Sequence, residues 1–143
     1  MDSTLAWLLT WSPFTSLAAA PDFAPLHLQH SIQKCQGTAR LAVVLDTSQE
    51  VWEVTIPRGT ADLRPKRVLS IGALVGVACS DMVAFAWTRE GLVYAWGMDP
   101  SEDGLLGVPG LFECKEPVQV QGLARIAQVA VGKTHAAAID GRT

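Results

Sequence analysis

Apolar and polar positions alternate with a period of two in several short stretches of this chain, and that pattern predicts strands. Runs rich in Val, Ile, Ala and Trp are punctuated by Gly, Pro, Asp and Ser, and no capped helical pattern of about ten residues competes with them. The clearest unit runs Val83-Ala84-Phe85-Ala86-Trp87, turns at Thr88-Arg89-Glu90-Gly91 and returns as Leu92-Val93-Tyr94-Ala95-Trp96. Phe85 and Trp87 share one face of the first run and Ala84 and Ala86 the other, because successive side chains of a strand point to opposite sides. The Gly-containing turn closes the two runs into a hairpin. Alternating large and small residues on both strands predict a sheet packed between neighbouring sheets.

The same unit recurs. Leu41-Ala42-Val43-Val44-Leu45, then Asp46 to Glu50, then Val51-Trp52-Glu53-Val54 repeats it at a shift of 42 residues (Leu41 for Val83). Val129 to Gly141 repeats its first half at a shift of 52 (Val129-Ala130 for Val77-Ala78), and the same shift sets Pro65 on Pro117, Val68 on Val120 and Leu74 on Ile126. A third prolyl run, Pro25-Leu26-His27-Leu28, stands at the matching place before the first copy. A period of roughly 40–50 residues holding several short strands is the signature of a propeller blade. One blade cannot bury both its faces, so each copy needs neighbours.

Val77-Ala78-Cys79, the stretch Glu90-Gly91-Leu92-Val93-Tyr94-Ala95-Trp96-Gly97 and Asp103-Gly104-Leu105-Leu106-Gly107 together resemble one complete RCC1-like repeat (regulator of chromosome condensation type). Pro117-Val118-Gln119-Val120 followed by Ile126 to His135 resembles the entry to the next. The likeness is specific over 65–141 and weaker over 23–64. It implies an all-β fold of antiparallel blades from an RCC1-like β-propeller. The fold expected here is incomplete, about two to three of the family's seven blades, with approximate units 23–64, 65–116 and a partial 117–143 after an N-terminal segment 1–22. The resemblance also implies a binding platform and, in some members, nucleotide exchange on a small GTPase. For His135 it implies a structural place near the inner region, hydrogen-bonded between blades. Several positions depart from the pattern. Ser80-Asp81-Met82-Val83 replaces the usual Gly-rich turn before the histidine, Val54 and Thr55 stand where Trp and Gly are usual, and the loop Asp99 to Asp103 is about two residues longer than the ordinary connection. Two units and part of a third cannot close a ring, so the expectation is a piece of a longer propeller or one completed by another chain.

Composition narrows the function. The chain has 143 residues, a net charge of -3 and only 17% charged against 49% hydrophobic residues, which suits a packed core and excludes a disordered tail. A mildly acidic chain has no bulk attraction for nucleic-acid phosphates or anionic lipid, so neither nucleic acid nor membrane is an expected partner. Three well-separated cysteines, Cys35, Cys79 and Cys114, form no C-x-x-C pair and predict unpaired thiols in a reducing compartment, cytoplasmic or nuclear. Leu5-Ala6-Trp7-Leu8-Leu9 with Ala18-Ala19-Ala20 imitates a secretory leader. No cation precedes Lys34, however, so the segment reads as part of the folded or tail region.

No reactive constellation assembles. Gly132-Lys133-Thr134 imitates the end of a phosphate-binding loop, but its required first Gly is Ala127 and no helix-forming segment follows. His27 and His30 would point to opposite sides of an extended segment and have no acidic or thiol companions, so no metal is expected. No base accompanies a serine or cysteine nucleophile, and no cofactor is implied. Trp52, Trp87 and Trp96 fall in register within the hairpins and predict packing between blades, while Trp7 and Trp11 stand apart. Arg64-Pro65-Lys66-Arg67 is the one dense basic cluster, read as a solvated inter-strand loop, with a nuclear-import or phosphate-contact role as the alternative. The loop carrying Asp99, Glu102 and Asp103 is read as a solvated acidic rim whose spacing does not match a calcium loop. The expected function is therefore a non-enzymatic protein interaction module whose candidate partner-binding residues are Arg64, Lys66, Arg67, Asp99, Glu102 and Asp103. Exchange-factor activity on a small GTPase in a full-length form is the alternative.

Overall fold

The computed structural model describes residues 5–10, 22–28, 30–55 and 65–142, with residues 5–10 and 22–27 described through their backbone. All of its regular structure is strand. One four-stranded antiparallel sheet is built in chain order from β3 (Ile32–Gly37), β4 (Leu41–Asp46), β5 (Glu50–Thr55) and β6 (Lys66–Ser70). A second is built the same way from β7 (Leu74–Cys79), β8 (Val83–Thr88), β9 (Val93–Met98) and β10 (Glu113–Gln119). Two-stranded sheets flank them: β1 (Leu5–Thr10) with β2 (Asp22–His27), and β11 (Ile126–Val131) with β12 (Ala136–Asp140). The segment that imitates a secretory leader thus contributes a strand, paired Leu5 to His27 through Thr10 to Asp22.

The repeat read from the sequence is reproduced in backbone detail. A register shift interrupts the first strand pair of every copy, at Ile32/Lys34, Leu74/Gly76 and Ile126/Gln128. Each such bulge bends and twists its strand, turning the sheet at the same point. The first turn closes on Thr38 N–H donating to Leu41 O at 2.8 Å, Ser80 to Val83 at 2.8 Å and Gly132 to His135 at 2.7 Å. The next closes on Thr47 to Ser31, Arg89 to Ala73 and Gly141 to Arg125, each at 2.8 Å. These bonds keep the shifts of 42 and 52 residues. The sheets are out of phase with the sequence units 23–64 and 65–116. Each unit opens on the outermost strand of one sheet and supplies the first three strands of the next.

Packing follows the large–small alternation. Phe85, Trp87, Val93 and Ala95 face Ile126 and Val129 of the half-sheet, together with Leu105, Leu106 and Val120. On the other side Ala84, Ala86 and Trp96 face Leu41, Val43, Leu45 and Val51 of the first sheet. The tryptophans of the second sheet therefore serve opposite interfaces. Trp87 Nε1 donates to Ala127 O at 3.1 Å across one, and Trp96 Nε1 to Glu53 Oε2 at 2.6 Å across the other. Trp52 differs: its indole is half-buried with Ala42, Val44 and Leu28, and its Nε1 donates within its own sheet to Asp46 at 2.9 Å. The side chain of Trp7 and all of Trp11 lie outside the described residues.

The last interface also contains a close backbone approach. Gly91 sits at φ 86°, its carbonyl accepts Ile126 N–H at 3.2 Å, and a Cβ placed there would stand 2.3 Å from Arg125 Cα. Gly104 shares the left-handed conformation, at φ 82°, but a Cβ there meets nothing. Gly104→Ala should lose about 1 kcal/mol of stability for its backbone conformation alone. Gly91→Ala should lose at least about 2 kcal/mol more, because the neighbouring chain must move. Urea denaturation midpoints of the two variants measure the difference.

Candidate interaction surface

The ends of β3 and β7 are brought together by Cys79, whose N–H donates to the Gln36 side-chain oxygen at 2.9 Å. That contact aligns one end of the two large sheets, where the turns 38–40 and 80–82, the start of β6 and the long connection 99–112 all lie. The basic and acidic candidates therefore share an end of the fold. Arg64 lies outside the described residues.

The acidic loop is anchored from within. Asp99 is 2% exposed. Its Oδ2 accepts the Leu105 N–H at 2.8 Å, while its own N–H donates to Phe112 O at 2.7 Å. Leu105 and Leu106 then insert into the core at 7% and 0% exposure. The expected solvated rim is thus corrected at one position: the Asp99 carboxylate ties the loop together and is not presented. A buried carboxylate requires such donors, since desolvation without them costs several kcal/mol. Glu102 and Asp103 remain exposed at the crest, Glu102 in the left-handed region at φ 55°.

The basic cluster is likewise redistributed. Lys66 and Arg67 are in β6 and not in a loop. Arg67 Nη1 meets Glu50 Oε1 at 2.9 Å, a partner at the opposite end of β5 from the loop end. Such a surface pair is worth about 0–1 kcal/mol, but it occupies the guanidinium. Lys66 is exposed opposite Glu53 in register.

Asp99 belongs to a set of side chains that close turns, most of them buried, and sequence reading passed over the others. Asp46 is fully buried and accepts Ser48 and Glu50 N–H at 2.8 and 3.0 Å. Thr88 accepts Leu92 N–H at 3.1 Å, and Asp140 accepts Arg142 N–H at 3.0 Å. The shifts of 42 and 52 residues make these three positions equivalent, so the repeat itself carried the signal.

The remaining candidates resolve into structure. Gly132-Lys133-Thr134 forms the β11–β12 turn, with Lys133 and Thr134 exposed. His135 is also exposed and does not bridge two sheets as the resemblance implies. Its ring lies over Gly132, 3.0 Å from where a Cβ would stand. The equivalent Leu41 and Val83 are buried between sheets, whereas β12 pairs only with β11 among the described residues. Among the described residues no three His, Cys, Asp or Glu side chains are grouped to hold a metal, and no helix is long and apolar enough to cross a membrane. The three cysteines are unpaired, and burial pushes the Cys79 thiol up to about 12.

Two measurements test this geometry. Asp99→Ala should lower stability by about 1–3 kcal/mol in urea denaturation, because the Leu105 amide loses its acceptor, while Glu102→Lys with Asp103→Lys should stay within about 0.5 kcal/mol. Because Cys79 is buried and its thiol is pushed up, it should react with Ellman's reagent last of the three and only on unfolding.

Comparison with known proteins agrees with the geometry. The family model for the regulator of chromosome condensation (RCC1) repeat matches residues 90–139. No curated protein matches the chain by sequence. Among solved structures, human WBSCR16 superposes with a TM-score of 0.65 at 17% identity, over 82% of this chain and 33% of that one. Prp20p of Saccharomyces cerevisiae, a structure described with its binding properties to Gsp1p and histones, gives 0.66 at 15% identity over 84% and 33%. The complex of Kap60 with yeast RCC1 (Prp20) gives 0.62 at 20% identity over 82% and 31%. The chain spans about a third of the length of these relatives. With an RCC1 repeat matched at 90–139, and two four-stranded blades and two half-sheets among the described residues, its fold is that of part of a β-propeller like those of the RCC1-type structures.

Proposed function

We propose that the chain is a non-enzymatic protein interaction module that meets its partner at the end of the blades carrying Glu102 and Asp103. The observation that carries this reading is the anchored loop. Asp99, Leu105 and Leu106 fix its base, so two exposed carboxylates are held at its crest with little left to order on binding. Charges held in this way steer association and choose partners by complementarity. Solved relatives support the reading, since Prp20p is described with its binding to Gsp1p and histones, and yeast RCC1 (Prp20) is seen bound to Kap60. Three unpaired thiols suit a reducing compartment, cytoplasmic or nuclear. Quantitative capture from cell extract on the immobilised chain tests the surface. Glu102→Lys with Asp103→Lys should reduce the captured partner at least about tenfold, a loss of roughly 1.4 kcal/mol; undiminished capture sinks the reading.

Guanine-nucleotide exchange on a small GTPase is a second reading, favoured by the Gsp1p binding named for Prp20p. It belongs to a longer form with further blades. Release of a fluorescent guanine nucleotide from Gsp1p in the presence of the chain is its assay, and unaccelerated release counts against it.

A further inference from the structure

Large apolar side chains left exposed on a protein are ordinarily scattered, and a single one carries no meaning. Met82, Met98 and Phe112 are 39%, 40% and 39% exposed, and these three lie together. Met82 closes the turn between β7 and β8, Met98 ends β9 and Phe112 precedes β10. Met98 N–H donates to Met82 O at 2.9 Å, and the next residue, Asp99, donates its N–H to Phe112 O at 2.7 Å. Consecutive main-chain bonds thus hold all three at one end of the second blade. That blade is covered on both faces, so the patch is the end of a complete sheet and not an open edge.

The fold does not ask for these residues. The turn bond from Ser80 to Val83 has equivalents from Thr38 to Leu41 and from Gly132 to His135. Those equivalences put Arg40 and Thr134, both polar, in the place of Met82. A methionine there answers no requirement of the turn. What it supplies is a flexible, polarizable surface that can adapt to an apolar side chain laid on it. Phe112 adds a broad rigid one.

The surroundings select the occupant. Residues 80–82 and 98–113 hold five carboxylates and no lysine or arginine. Asp99 is buried, while Asp81, Glu102, Asp103 and Glu113 are exposed. Asp81 adjoins Met82 in the turn, and Glu113 is in register with Met98. Glu102 N–H donates to Asp99 O at 3.2 Å, which sets the acidic crest on the residue after Met98. Lys115, two residues beyond Glu113, is the first cation along β10. A second copy of this chain would bring like charges together here, and an anionic lipid surface would be repelled in the same way.

We propose that Met82, Met98 and Phe112 receive one apolar side chain of a partner protein, from a segment whose flanking lysines or arginines meet Asp81, Glu102, Asp103 and Glu113. This rests on the reading that the partner meets this end of the blades, and it adds the chemistry that the partner carries.

Fluorescence anisotropy of labelled peptides against the full chain tests it, with lysine or glutamate flanks around a central phenylalanine or serine. The lysine-flanked phenylalanine peptide should bind at least about tenfold tighter than its serine counterpart, the increment from burying one aromatic side chain. Neither glutamate-flanked peptide should bind. Met82→Ser with Phe112→Ser leaves every carboxylate in place and should abolish the preference for phenylalanine. Its circular dichroism spectrum should be unchanged, because both residues are exposed. Equal binding of the two lysine-flanked peptides, lost in Glu102→Lys with Asp103→Lys, overturns the apolar contact and leaves the acidic end as the partner surface. No binding of the lysine-flanked phenylalanine peptide overturns the proposal, as does a preference that the serine variant retains. Light scattering that shows the mass doubling with concentration, but not in the serine variant, gives the patch to a second copy and overturns it too.

Discussion

The stability of this fold rests on contact between sheets, since no sheet here has a face it can bury by itself. β8 shows the constraint most clearly. Its phenylalanine and tryptophan fill one interface while its alanines leave room for Trp96 and the leucines and valines of the other. A residue on either face is therefore shared property: enlarging Ala84 would press on the first sheet, and trimming Phe85 would open a void before β11. Buried donors follow the same rule. The two indole N–H groups of this blade find acceptors on its two neighbours, one on each side, and a buried donor left without an acceptor is expensive.

Much of that was legible in the residues. Period-two alternation located β8 and β9, the recurrence of Leu41 to Val54 located β4 and β5, and alternation of size announced a sheet covered on both sides. Interface assignment was not legible. Trp87 and Trp96 lie nine residues apart on paired strands, and nothing in the alternation says that they point into different cores until the register of Ala84 with Trp96 is fixed. Trp52 turned to its own sheet because Asp46 stands where Thr88 stands in the next copy and reaches the indole as well as the turn.

The charged candidates were harder, for a physical reason. Sequence ranks an aspartate as a surface residue, and at Asp103 that holds. Asp99 is an exception because a long connection has its own backbone donors to satisfy, and a short carboxylate at its root is the nearest acceptor. The basic run was misplaced similarly: Pro65 marked a loop correctly, but Lys66 and Arg67 already belong to the ladder with β5. His135 sits in the turn its motif specifies, where no further strand encloses it among the described residues.

The mismatch of phase between sequence units and blades has an evolutionary consequence. Because every unit begins by finishing the sheet before it, units overlap like roof tiles, and each is stitched to its predecessor by a ladder of main-chain bonds as well as by side chains. Unequal crossing-over that inserted or deleted one whole unit would leave every internal seam of the same kind as before. Propellers of this pattern can therefore change their number of blades in single genetic steps without redesigning a core.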